Sequence, residues 1–144
     1  MRKLVLLVFI CLSACKKDAS QNITAYNWVL ETAVISPAKT YNGKQETNYM
    51  LMDPSTCLQH NFKITFSVDG TYGYSSTGPL CDLLGNDKLL KWTQEGDKIV
   101  LSNHNATIVA NIIQKDKLVY ENNFTENNSG VNYKVIYTYK AKSK

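Results

Sequence analysis

The stretch that most constrains the fold runs from Cys57 to Cys81, and it contains a β-hairpin between Phe62 and Ser75. From Phe62 to Phe66, apolar and polar residues alternate, which is the period of a strand with one buried face. Asp69-Gly70 then provides a strong turn signal, and tyrosines alternate with small residues beyond it. The pattern predicts a hairpin with a cysteine outside each end, around which the other strands are added.

The length of the turn decides which side chains share a face. A two-residue loop would put the tyrosines after the turn on the face opposite Phe66. A three-residue loop pairs Phe66 with Tyr72 and Ile64 with Tyr74, with Gly70 in the left-handed region as a G1 bulge. We predict the three-residue loop, because it gathers the apolar side chains on one face and a slip of one residue would reverse them all.

Residues 1–14 have the order of a signal peptide. Two basic residues precede the apolar run Leu4–Ile10, which is too short to span a bilayer in a mature protein. Leu12-Ser13-Ala14-Cys15 resembles a bacterial lipobox, and this implies cleavage before Cys15 and attachment of diacylglycerol to its thiol. An ordinary signal peptide, or a short helix with a chance cysteine, is the alternative, but neither explains where the cysteine stands.

Acylation of Cys15 has consequences for the rest of the chain. We expect an exported protein that is anchored in the cell envelope, in the outer membrane, and that faces an oxidising compartment. Residues 15–24 would be the lipidated cysteine and its linker, and residues 25–144 a single domain. Loss of residues 1–14 lowers the formal net charge from +4 to +2, which argues against a nucleic-acid partner.

The mature chain is predicted to be all-β. We expect about eight strands, because short alternating segments recur between turn signals and no segment has a sustained helical period. The residues from 36 to 54 are predicted to be a long connection with at most one strand. The architecture we favour is a single antiparallel up-and-down barrel, with a sandwich as the second choice. The first predicted strand starts at Tyr26, and its Trp28 is expected to open the core. After the hairpin, the other predicted strands are Lys88–Thr93, Lys98–Ser102, Ala106–Ile113, Lys117–Phe124 and Val131–Tyr139.

Several motifs in this order resemble the lipocalin-like domain of small Gram-negative lipoproteins. The motifs are the lipobox, Tyr26-Asn27-Trp28, the segment from Cys57 through Asp69-Gly70 to Cys81, and Lys91-Trp92 before Gly96-Asp97. The resemblance implies a calycin-type barrel of unassigned ligand. It departs from lipocalins at their opening Gly-x-Trp, which has no glycine here. In lipocalins a late basic side chain covers that tryptophan, a role open to Lys140 or Lys142.

Two cysteines remain once Cys11 is removed and Cys15 is acylated. In an exported chain Cys57 and Cys81 are expected to form a disulfide. The competing interpretation is a tetrahedral metal site made by these two cysteines with His60 and His104. We favour the disulfide, because export favours oxidation.

No enzyme motif occurs in the chain: Gly-x-Ser-x-Gly and His-Glu-x-x-His are both missing. We therefore predict no catalytic residue, no cofactor and no metal. Tyrosines at 133, 137 and 139 share one strand face with Val131 and Val135, and they would either line a ligand pocket or fill the core. The candidate ligand-binding residues are Trp28, Phe66, Tyr72, Trp92, Tyr133 and Tyr137.

Two functions are compatible with these observations. The first is a binding module that takes a small apolar or amphipathic molecule inside the barrel, as the aromatic strand face suggests. The second is a structural or interaction subunit with a filled barrel, which offers its outer surface to an envelope protein.

Overall fold

The computed structural model describes residues 22–78, 81, 90–103, 106–113 and 116–144. Most of this part of the chain forms antiparallel strands, and its helical structure is confined to short 3-10 segments. The strands are β1 (Tyr26–Tyr41), β2 (Lys44–Asn48), β3 (Lys63–Phe66), β4 (Tyr72–Ser75), β5 (Lys91–Glu95), β6 (Lys98–Ser102), β7 (Thr107–Ile113), β8 (Lys117–Thr125) and β9 (Asn132–Ser143).

Eight strands form a nearly closed up-and-down barrel, which confirms the predicted architecture. Their order is β4-β3-β1-β9-β8-β7-β6-β5, and β2 pairs only with β1. The first and last strands of this order meet through an antiparallel bridge between Thr71 and Lys91. Two backbone hydrogen bonds accompany the bridge, from Tyr72 N to Leu90 O at 3.2 Å and from Trp92 N to Gly70 O at 2.9 Å. The barrel is thus closed beside the turn of the β3–β4 hairpin.

The β3–β4 hairpin has the predicted register. Phe66 is paired with Tyr72 and Ile64 with Tyr74. Ser67 N donates to Thr71 O at 2.8 Å, and Gly70 has a φ of +79°. The three-residue loop with a left-handed glycine is confirmed, since it alone keeps these side chains inside the barrel.

The prediction for residues 36–54 was wrong. β1 continues to Tyr41, turns at Asn42-Gly43 and returns as β2, and a 3-10 helix follows at Tyr49–Met52. Both Asn42 and Gly43 have positive φ, as a tight hairpin turn requires. The segment was hard to recognise because β2 covers no core, so its sequence lacks apolar alternation.

One end of the barrel, which we call the base, holds the densest core. The 3-10 helix Ile23–Ala25 lies there, and the indole Nε1 of Trp28 donates to Ile23 O at 3.1 Å. Trp28 and its cross-strand neighbour Ile64 are both 0 % exposed. Trp28 therefore opens the core as predicted.

The opposite end, which we call the mouth, has a smaller core of its own. Ala33 and Ile35 on β1 and Tyr133 and Val135 on β9 form a second cluster of buried side chains. The segment Tyr49–Met52 packs against this cluster and covers it.

Neither Lys140 nor Lys142 covers Trp28, contrary to the role that the resemblance left open for them. Ala141, which lies between them, is the residue paired with Trp28 and packs against the core. Because side chains alternate along a strand, both lysines lie on the outer face, where they are exposed. Val131, predicted to share the inner face of the last strand, precedes β9 and is 36 % exposed.

In the part of the chain that the structure describes, we find no helix of the length and apolar character needed to cross a bilayer.

Candidate functional site

Cys57 and Cys81 form the predicted disulfide. Their sulfur atoms are 2.01 Å apart, their Cα atoms are 5.6 Å apart, and each residue is only 2 % exposed. The bond joins the chain just before β3 to the chain beyond β4. Since both thiols are consumed, the competing metal site has lost two of its four ligands, and His104 lies outside the described residues. No cluster of metal-ligating side chains is found among the described residues.

Three of the six candidate ligand-binding residues are sealed in the core. Trp28 and Phe66 are 0 % exposed and Tyr72 is 4 % exposed. A side chain that a water-sized sphere cannot touch has no room for a ligand beside it. The ring of Phe66 packs against Trp92 and Tyr72, with centroid distances of 5.4 and 6.1 Å. Protein side chains therefore fill the base.

The other three candidates lie in different surroundings. Trp92 is half-buried on β5, and its Nε1 donates to Ser67 O at 3.0 Å, which ties β5 to the hairpin turn. Tyr133 belongs to the mouth cluster and packs against Phe124, with ring centroids 5.5 Å apart. Tyr137 is half-buried between the two clusters and contacts both. Tyr72 and Tyr137 both belong to the group of tyrosines described next. Of these two, only the half-buried Tyr137 retains a substantial accessible surface.

A cluster of tyrosines occupies the middle of the barrel, between the base and the mouth. The ring of Tyr120 stacks on those of Tyr137 and Tyr139, with centroids 4.8 and 5.9 Å apart. From the other side of the barrel, Tyr74 stacks on Phe62, whose ring also contacts Tyr139. We call the following five residues the tyrosine cluster: Tyr72, Tyr74, Tyr120, Tyr137 and Tyr139.

The hydroxyls of the tyrosine cluster have few partners. Tyr120 Oη and Tyr139 Oη are 3.4 Å apart, which is long for a hydrogen bond between hydroxyls. The rings of Tyr72 and Tyr74 are in contact, with centroids 5.6 Å apart. Among the described residues, the hydroxyl of Tyr137 makes no hydrogen bond. Beyond these contacts with one another, the phenols of the tyrosine cluster make no hydrogen bond to any residue that the structure describes.

Burial makes these phenols weak acids. Desolvation raises the pKa of all five tyrosines, because an apolar interior disfavours the phenolate. The neighbouring phenol of Tyr120 raises the pKa of Tyr74, Tyr137 and Tyr139 further. The cluster is therefore neutral at physiological pH, and each hydroxyl can both donate and accept.

The segment Tyr49–Met52, which we call the cover, is followed by a turn that one carboxylate holds in place. Asp53, directly after Tyr49–Met52, accepts hydrogen bonds from Leu58 N at 2.9 Å and from Ser55 N at 3.1 Å. Partial burial raises the pKa of Asp53, but the hydrogen bonds outweigh it and the net pKa lies below the usual value. Tyr49, the first residue of the cover, contacts Tyr137, and the centroids of the two rings are 6.2 Å apart. The cover therefore borders the tyrosine cluster directly.

Sequence reasoning placed Tyr72 and Tyr74 on the inner face of the hairpin and named Tyr137 and Tyr139 as pocket-lining or core residues. It missed Tyr120 and the convergence of these tyrosines on one another. The available signal was the alternation on two strands, which puts Tyr120 on the inner face of β8 and Tyr139 on that of β9. Cys15, the predicted lipidation site, lies outside the described residues.

No protein-family model matches this chain, and no curated protein matches it.

Proposed function

We propose that this chain is a membrane-tethered, lipocalin-like lipoprotein that binds one small amphipathic molecule at the tyrosine cluster. The observation that carries the proposal is the half-buried phenol of Tyr137, whose hydroxyl has no hydrogen-bond partner among the described residues and whose ring stacks on that of Tyr120. A buried hydroxyl without a partner costs about 1–3 kcal/mol, so natural interiors usually provide a partner, a water or a ligand. A hydroxyl of this kind, next to the other phenols of the tyrosine cluster, favours a polar guest there.

The sealed base limits where this guest is held. Trp28, Phe66 and Tyr139 cannot contact it, because none of them leaves space for even a water molecule. The half-buried Tyr137 and Tyr74 are better placed, as is Met50 of the cover, which contacts both core clusters. The guest would offer a polar group to the phenols and its apolar part to the rings around them.

The membrane tether rests on the lipobox. Acylation of Cys15 would hold the barrel at the envelope membrane by two or three acyl chains, and a single chain anchors only marginally. A ligand of amphipathic character is the kind of molecule that such a location offers.

A second function is favoured by the packing of the base. A barrel with a filled interior is a rigid platform, and its outer surface would then serve an envelope partner. In this case the tyrosine cluster is core packing and its hydroxyls hold only water.

Native mass spectrometry of the acylated protein, purified from membranes in mild detergent, distinguishes the two functions. We expect a co-purifying small molecule that is reduced in the Tyr137→Phe variant, which removes one hydroxyl and leaves the ring. Tyr41→Phe is the matched control, because Tyr41 is 39 % exposed on the β1–β2 hairpin. A clean mass without ligand, together with capture of an envelope protein in a pull-down, would instead support the platform.

A further inference from the structure

A row of lysines crosses the outer face of the barrel close to the base. The strand register pairs Lys117 on β8 with Lys140 on β9, Lys140 with Val29 on β1, and Val29 with Lys63 on β3. Neighbouring strands are about 4.8 Å apart, so these four positions span about 14 Å. The row belongs to the outer face, because the inward residues next to it, Leu118, Tyr139, Trp28 and Ile64, are at most 1 % exposed.

A second row lies next to the first and continues it towards the base. Lys142 is paired with Asn27, and Asn27 with Thr65. An open groove of about 720 Å³ extends from here along β3 and β4 and includes both Lys63 and Lys91. The rest of its lining includes the hydroxyl groups of Thr65, Ser67, Thr71 and Ser75 and one carboxylate, that of Asp69. Ammonium and hydroxyl donors together suit phosphate oxygens. We call Lys63, Lys117, Lys140 and Lys142 the basic face.

The basic face does not serve the stability of the sheet. Lys117 and Lys140 are directly opposite each other, and like charges in that position are unfavourable. The carboxylate of Glu31 offsets only part of this repulsion, at 3.7 Å from Lys117 Nζ. The other three lysines of the basic face make no ion pair with any residue that the structure describes.

The charges near the mouth are arranged differently. There Lys39 Nζ lies 2.6 Å from a carboxylate oxygen of Glu126, and Lys134 Nζ lies 3.9 Å from one of Glu121. Among the described residues near the mouth, Lys39 and Lys134 are thus matched with carboxylates and Lys44 is not, whereas on the basic face one lysine of four has a carboxylate partner.

The start of the domain places the basic face next to the proposed tether. Asn22 is the first described residue, and it caps the 3-10 helix Ile23–Ala25 at the base. Residues 16–21 are all that separate it from Cys15, and the seven Cα–Cα steps from Cys15 to Asn22 reach at most about 25 Å even when fully extended. An acylated Cys15 would therefore keep the base, and with it the basic face, close to the bilayer surface.

We infer that the basic face binds the anionic headgroups of the membrane in which Cys15 is anchored, and that this contact fixes the orientation of the barrel on the bilayer. The inference rests on the tether of the proposed function, but not on the ligand. Lysines within a Debye length of an anionic surface are attracted to it, and the attraction is lost as salt screens the charges.

Lysine footprinting tests the inference on the acylated protein. The protein is reconstituted into vesicles of phosphatidylcholine, alone or mixed with phosphatidylglycerol, and the rate of lysine acetylation is measured by mass spectrometry. We expect Lys63, Lys140 and Lys142 to be acetylated severalfold more slowly in the mixed vesicles, and high salt to restore their rates. Lys44 and Lys134, towards the mouth, are the internal controls and should react equally in both vesicles.

A pair of variants separates specific contact from general shielding. Lys140→Gln combined with Lys142→Gln changes only exposed positions and should reduce the protection of Lys63. Lys44→Gln combined with Lys134→Gln should leave that protection unchanged.

The possible failures are distinguishable. If protein whose acyl mass has been verified is acetylated equally in both vesicle types, the proposed contact of the basic face with anionic headgroups is wrong. The ligand proposal would remain intact. Loss of protection on addition of inorganic phosphate at constant ionic strength would overturn the headgroup contact in favour of a site for free phosphate. A mature protein without the acyl mass would overturn the tether, and the inference with it.

Discussion

The disulfide permits a quantitative prediction about stability. Cys57 and Cys81 are separated by 24 positions in the sequence. In the chain-entropy model, a cross-link that closes a loop of this length restricts the unfolded chain enough to stabilise the fold by about 3.5 kcal/mol. Both residues are 2 % exposed, so replacing them by alanine also removes buried atoms. For the Cys57→Ala, Cys81→Ala double variant we expect a loss of about 3.5–4.5 kcal/mol in the free energy of unfolding.

Urea unfolding followed by tryptophan fluorescence measures this loss, since Trp28 is buried and Trp92 is half-buried. The control is the natural protein after complete reduction, which loses the cross-link but keeps the sulfur atoms. It should lose about 3.5 kcal/mol, slightly less than the alanine variant. A change below about 1 kcal/mol in both would refute the reasoning, because the two ends of the loop would then already be close together in the unfolded chain.

Three further predictions concern single residues. Trp28→Phe leaves the carbonyl of Ile23 without its hydrogen-bond donor in a sealed core. We expect thermal unfolding to show a destabilisation of about 1–3 kcal/mol. An unchanged stability would show that this hydrogen bond is dispensable. Gly70→Ala forces a non-glycine residue to a φ of +79° and should lower the free energy of unfolding, measured in urea, by about 1–2 kcal/mol. Gly70→Asn should lower it less. Equal losses in the two variants would argue against backbone conformation as the cause. The pKa of Asp53 is lowered in the fold, because the effect of burial is outweighed by hydrogen bonds such as that from Leu58 N. The carboxylate therefore stabilises the fold fully at a pH above the pKa that Asp53 has in the unfolded chain. This stabilisation is lost as the pH falls through the pKa of Asp53 in the folded protein. Asp53→Asn should therefore lower the urea midpoint at pH 7 and make it less sensitive to acid than in the natural protein, and parallel acid profiles would contradict this assignment.

The parts of the fold that could be predicted are those where one pattern decides between two registers. The β3–β4 hairpin is the best example, because only one turn length keeps both Phe66 and Tyr72 inside. The disulfide was also predictable, since the lipobox argues for export and leaves two cysteines to pair. In both cases a local signal excludes its alternatives without knowledge of distant contacts.

Two features escaped prediction for opposite physical reasons. The β1–β2 hairpin was missed because β2 packs on no core, so nothing selects apolar residues along it. The basic face was missed because its lysines are scattered between positions 63 and 142, and only the pairing of β8, β9, β1 and β3 brings them together. Composition gave no hint of it, because a net charge of +4 for the whole chain does not say where the charge lies.

The pairing of the first and last strands has a consequence for how this protein folds. β1 and β9 are hydrogen-bonded from Tyr26 and Ser143 at one end to Ser36 and Lys134 at the other. These contacts join residues about a hundred positions apart, so the loop-closure entropy must be overcome before they form, and such folds are slow. During synthesis β1 emerges first and has no partner along this edge until β9 has been made. The exposed edge of a long strand invites pairing with other chains, so the interval between the emergence of β1 and that of β9 is when a nascent chain is most exposed to aggregation.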